Sequence, residues 1–151
     1  MSKGFLGTVA PLSADLTLLL EMAMGVGLFV GARLARLGRF RGHAWCQATI
    51  VFLNLVLIGL TMLPAFHRHV LPKLPSRIGK PYYALATTHA ALGGAAELMG
   101  LYILLAAGTK LLPEKFRITR FKLWMRSLLL LWWIVLFLGM ATYARWYADL
   151  R

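Results

Sequence analysis

Residues 44–66 read AWCQATIVFLNLVLIGLTMLPAF, with no Asp, Glu, Lys or Arg among them. A helix needs about 20 mainly apolar residues to cross roughly 30 Å of hydrocarbon, and this stretch supplies them. Gln47, Asn54 and Thr61 recur at every seventh position. They therefore share one helical stripe, which His43 extends, and that face has to point at other helices rather than at lipid. The stretch thus predicts a transmembrane helix with partners.

Working outward, three more segments read the same way: 12–32, 82–107 and 123–143. Together they predict an all-α chain, a single four-helix transmembrane bundle over 1–151. Nothing between the spans is long enough for a soluble domain. The first span is not a cleavable signal, because its charges, Arg33, Arg36, Arg39 and Arg41, follow the apolar run. The whole composition agrees: 60% of the residues are hydrophobic, only 15% are charged, and mean hydropathy is +0.69. That apolar share exceeds the roughly 45–50% of soluble domains and excludes a disordered chain.

The net charge is +12, from 17 Lys and Arg against 5 Asp and Glu. A soluble nucleic-acid binder would spread such charge over a polar surface, which this chain lacks, so no nucleic-acid partner is expected. The charge instead reads as topology. Arg33, Arg36, Arg39, Arg41, Lys110, Lys115, Arg117, Arg120, Lys122 and Arg126 fall on one side of the bundle. Lys3, Arg68, Lys73, Arg77, Lys80, Arg145 and Arg151 fall on the other. Ten against seven, with the first hairpin decisive, places both termini on the outer, periplasmic side. Tyr82, Tyr83, Tyr143, Trp146 and Tyr147 would mark the outer interface, and Trp45 and Trp124 the inner one. The basic–apolar run KFRITRFKLWMR (115–126) would lie along the inner headgroups.

Ionisable groups within spans are costly and mark either packing or function. Glu21 lies in the first span, and His89 and Glu97 in the third, where His89, Gly93, Ala96 and Gly100 share a small-residue face. Counted at 1.5 Å per residue, Glu21 and His89 both fall roughly 10–13 Å below the outer surface, and Asn54 and Glu97 roughly 18–22 Å. Each pair is expected to meet across the bundle, as hydrogen-bonded glue, a proton path, or part of a metal or cofactor site. Gly27 and Gly31 form a GxxxG pair, suited to close packing within the bundle or to a homo-oligomer.

Three histidines fall in the outer half: His67 and His69 at the end of the second span, and His89 in the third. Imidazole ligates haem iron, copper and zinc. His67 or His69 with His89 could hold a haem b, or all three with Glu21 a copper or zinc ion. His43 has no histidine partner on its own side. Cys46 is the only cysteine, and no phosphate loop, dinucleotide fingerprint or hydrolase motif points to an enzyme.

Four spans, His43 at the start of the second, His67 near its end, the TTHA that contains His89, the RFKLWMR entry and the GMATYARWY ending resemble the family called domain of unknown function 420. The resemblance runs from about Leu18 to Tyr147. It implies a bacterial inner-membrane protein, an accessory or assembly protein of a respiratory haem–copper oxidase-type complex, with haem or metal at its histidines and membrane subunits as partners. A cytochrome b-like electron carrier and a small proton or solute transporter are the alternatives. One departure is that family members commonly carry a histidine just before the fourth span, where this chain reads Phe116-Arg117-Ile118-Thr119-Arg120.

Overall fold

Pro11, extended at ψ 156°, starts helix α1 (Leu12–Arg36), with Asp15 in its first turn and Arg33 and Arg36 in its last. Those charges complement the helix dipole at each end. The computed structural model describes residues 4–109, 113 and 118–148. After α1, Gly38 adopts φ +73°, a left-handed conformation that only glycine takes without cost, and the chain reverses at once into α2 (Phe40–Leu57).

The second span is not a uniform α-helix. A five-residue π turn, Ile58–Met62, follows α2 and leads into α3 (Leu63–His69). Pro64 accounts for it. Proline has no N–H to donate and its ring crowds the carbonyl one turn back, so the helix widens ahead of it. The Thr61 hydroxyl donates to the Leu57 carbonyl within this turn, at 2.8 Å. A 3₁₀ turn (Leu71–Lys73) and the short α4 (Leu74–Arg77) lead to Pro81, the first residue of α5 (Pro81–Gly108). Helix α6 (Phe121–Tyr147) completes the chain.

Among the described residues the structure is all-helical, and four helical segments are long and apolar enough to cross a membrane: Leu12–Arg36, Phe40–Arg77, Pro81–Gly108 and Phe121–Tyr147. Each is longer than its apolar run alone predicts, because backbone hydrogen bonding continues into the flanking polar residues. Phe121–Arg126 belongs to α6 rather than to a separate surface stretch. Lys3, Lys110, Lys115, Phe116, Arg117 and Arg151 lie outside the described residues.

The bundle is two tight hairpins, α1 with α2 and α5 with α6, joined by lighter contacts of α1 with α6 and α2 with α5. Its core is Met24, Leu28, Ile50, Val51, Leu57, Ala96, Trp132 and Leu136. Only 22% of each span's apolar window is buried within the chain, so most of the apolar surface faces outward, as lipid solvation requires. The GxxxG pair is used internally. A β-carbon at Gly27 would stand 3.0 Å from Ile50, and one at Gly31 would run into the Gln47 amide. The His43 ring, through Nδ1, donates to the Gly31 carbonyl at 2.8 Å, and the Cys46 thiol to the Gly27 carbonyl at 3.3 Å. His43, Cys46 and Gln47 are therefore fasteners of the first hairpin.

One end of the bundle, the terminal end, carries residues 4–10, the last turn of α6 and the 70–80 connection. Residues 4–10 fold against it and are tied to a fully buried carboxylate, Asp15. Asp15 Oδ2 accepts the Phe5 and Leu6 N–H groups at 2.7 and 2.9 Å, and Oδ1 accepts the Tyr143 hydroxyl at 2.5 Å. Thr8 Oγ1 pairs with the same hydroxyl at 2.8 Å. Asp15→Ala is therefore expected to release residues 4–10 from α6 while leaving the four spans assembled. Limited proteolysis in detergent should then cut only near the amino end, and an uncut variant would contradict this tie.

Candidate functional site

The π turn and Pro64 carry the second span's upper part out of the tight packing below, and a cleft of about 680 Å³ opens between all four spans. α1 contributes Glu21 and Met24; the second span contributes Asn54 and Thr61; α5 contributes His89 and Gly93. Trp132, Leu136 and Gly139 of α6 form the far wall, and Tyr143 and Trp146 stand toward the terminal end.

Glu21 and His89 converge over Gly139. A β-carbon at 139 would fall 2.8 Å from Glu21 Oε2 and 3.0 Å from His89 Cε1, so the two groups lie within about 6 Å of each other. Only a glycine leaves room for both. His89 Nδ1 stands 3.1 Å from the Val135 carbonyl. A carbonyl oxygen can only accept, so Nδ1 carries the hydrogen, and Nε2 of the neutral ring presents a lone pair. Nε2 has no hydrogen-bond partner among the described residues. Glu21 is 8% exposed, lines the cleft, and likewise has no partner among the described residues. A carboxyl group in hydrocarbon surroundings needs a hydrogen-bond or ionic partner, and the cleft is where one can reach it.

Asn54 and Glu97 form the second pair. Asn54 Nδ2 donates to Glu97 Oε2 at 2.8 Å, one helical turn beyond Gly93 and beneath the cleft. Glu97 is 3% exposed, and its other oxygen, Oε1, is buried without a partner among the described residues. Thr61 of the same stripe meets Thr17 of α1 at 3.2 Å. The polar stripe of the second span therefore faces inward over its whole length, with each member meeting a different neighbour.

The histidines do not assemble as a ligand set. Among the described residues no group of three or more His, Cys, Asp or Glu stands close enough to hold a metal ion. The reason is depth. His69 meets the Trp146 ring edge-on at 6.4 Å, whereas His89 sits level with Val135. Those two α6 positions are eleven residues apart, or roughly 16 Å along the helix axis. His67 is exposed on the outside of α3 and does not line the cleft. A haem held by His67 or His69 with His89 would need two rings at one depth, and the copper or zinc set of His67, His69, His89 and Glu21 would need four groups at one point. These residues fit neither arrangement.

Three contributors escaped the sequence reading. Asp15 and Tyr143 pass as an ordinary first-turn acid and an interfacial aromatic until the fold brings them together. An acid at the very start of an apolar span was the available signal. Gly139 gave none, because its role depends on two other helices. Tyr82 stacks on Trp146 with centroids 4.9 Å apart, and the Trp146 indole donates to the Tyr82 carbonyl at 3.3 Å, tying α5 to α6 at the terminal end. Comparison with protein-family models, with curated proteins and with solved structures finds no match to this chain.

Proposed function

We propose that this chain is a non-enzymatic multi-pass protein of a bacterial inner membrane that binds a bilayer-soluble molecule in its central cleft. Glu21 and His89 meet the polar group of that molecule. The observation that carries this reading is a carboxyl and an imidazole nitrogen, both without a hydrogen-bond partner among the described residues, facing one largely apolar, glycine-floored space. The excess of basic residues in the loops between the first and second and the third and fourth spans supports termini on the periplasmic side. The resemblance in histidine placement and basic loop supports a place beside a respiratory haem–copper oxidase-type complex, as an accessory or assembly protein.

A second reading, a haem-carrying electron carrier, is favoured by His89 alone: a backbone carbonyl on Nδ1 leaves Nε2 as an axial ligand. One preparation separates the two. Protein purified in mild detergent is expected to yield, on solvent extraction and mass spectrometry, a bound organic molecule that is lost in Glu21→Leu and in His89→Ala. A Soret band lost in His89→Ala would move the assignment to haem. If the molecules recovered are the same in all three proteins, the cleft is not a binding site.

A further inference from the structure

The cleft has two approaches, and they differ. At its terminal end stand Trp146, stacked on Tyr82 and met by His69, and the 4–10 segment bonded to Tyr143 and Tyr147. Between the second span and α5, Val70 and Phe66 pack on Tyr83 and Ala86 toward the terminal end, and the stretch below that cluster, at the π turn, is not fastened in this way among the described residues. The second span meets α5 chiefly through α2, below the π turn, and the turn itself buries no residue. Leu60 and Leu63 line the cleft, yet are 74% and 60% exposed. Ala90 and Gly94 line the same cleft on the side of α5 that carries Glu97 and so meets the second span at Asn54, and a β-carbon at Gly94 would meet nothing within 4 Å. The gap is walled by leucine, alanine and glycine at the depth of the hydrocarbon.

The polar end sets what the head group must be. Nε2 of His89 only accepts, so the ligand must donate to it. Glu21 Oε2 lies within about 6 Å of His89 Cε1, the ring carbon bonded to Nε2, close enough for one ligand oxygen to stand between the carboxyl and Nε2. The remaining wall is rich in rings: Phe66, Trp132, Tyr143 and Trp146. Aromatic walls favour a flat ring over a branched aliphatic alcohol, through offset and edge-to-face contacts.

We propose that a lateral portal between Leu60/Leu63 and Ala90/Gly94 admits a ring-hydroxylated lipid of the hydroquinone class, whose hydroxyl donates to His89 Nε2 and accepts from the O–H of the Glu21 carboxyl. This rests on the cleft's being a binding site and adds the route and the ligand class. The ligand enters from the bilayer, ring first, and its tail stays in the portal among lipid chains. No electron transfer is implied; the site holds the reduced ring.

The test uses the full chain in phosphatidylcholine nanodiscs, with decyl-ubiquinol as the probe and tryptophan quenching as the readout. Decyl-ubiquinol is expected to bind at least tenfold more tightly than decyl-ubiquinone, which has no ring hydroxyl to donate. His89→Phe and Glu21→Leu should each weaken it at least tenfold. Gly94→Leu should slow association at least tenfold, whereas Val26→Leu, on a lipid-facing position of α1, should change neither rate. Circular dichroism and the thermal midpoint confirm that each variant is folded, and Gly94→Ala gives a milder portal variant if the leucine is not tolerated. Equal affinity for the quinone, or association unchanged in both Gly94 variants, would overturn the proposal. Dioleoylglycerol binding in place of the quinol, still dependent on Glu21, would overturn the ligand class and leave the cleft as a binding site. No Glu21-dependent binding of any of these would overturn both.

Discussion

Gly139→Leu is expected to abolish ligand recovery from the cleft while lowering stability only modestly. A β-carbon there already sits 2.8 Å from Glu21 Oε2 and 3.0 Å from His89 Cε1, inside ordinary contact distance for both. The Glu21 carboxyl is the end of a flexible chain and can swing away. The His89 ring is tethered to the Val135 carbonyl and cannot move without losing that bond. Overpacking of this kind costs about 1–3 kcal/mol. Replacing a helical glycine returns up to about 1 kcal/mol. The net loss of stability should therefore stay at about 2 kcal/mol or less. Binding fares worse, because the three further carbons of leucine occupy the space that the ligand's polar group needs. Thermal unfolding in detergent and quantification of the extracted molecule measure the two effects separately. A leucine variant that still carries the ligand would show that the polar group sits elsewhere.

The second large effect concerns Asn54 and Glu97. Hydrogen bonds between transmembrane helices average only about 0.6 kcal/mol, so a simple bond deletion would be nearly silent. Asn54→Leu does more than delete a bond. It leaves a carboxyl that is 3% exposed with no partner on either oxygen among the described residues, since Oε1 is unpartnered already. Stranding a buried polar group costs about 1–3 kcal/mol, and more for a charged one. Asn54→Leu is therefore expected to cost about 2–3 kcal/mol. The double variant Asn54→Leu/Glu97→Leu should recover most of that loss, because no polar group is then left behind. Equilibrium unfolding of the parent, the two single variants Asn54→Leu and Glu97→Leu, and the double variant in mixed micelles closes the cycle. Additive losses would mean that the two side chains do not depend on each other.

The spans were legible because hydrocarbon imposes a length and a polarity that few other environments demand. Residues 44–66 carry both in plain view. The inward stripe of Gln47, Asn54 and Thr61 was equally legible, since lipid penalises any other orientation. Depth counting along straight helices brought Asn54 to the level of Glu97, and Glu21 to that of His89. The same counting sets His89 about two turns deeper than His67 and His69, and the structure separates them in that sense, with His69 at Trp146 and His89 at Val135. His67 and His69 lie beyond the π turn and Pro64, where the helix no longer advances uniformly, and the two positions face different ways.

What the sequence determined by itself is thus the inventory of spans and the depth of each polar group, because both follow from one-dimensional rules: rise per residue and the cost of polarity in lipid. Only the tertiary structure decided which groups meet. The Gly139 floor under Glu21 and His89, the Asp15–Tyr143 tie and the gap between Leu60 and Gly94 each depend on how two or three helices rotate and separate. Those rotations are set by packing at Gly27, Gly31 and Gly100 and by the widened turn ahead of Pro64, through side-chain contacts between positions far apart in the chain.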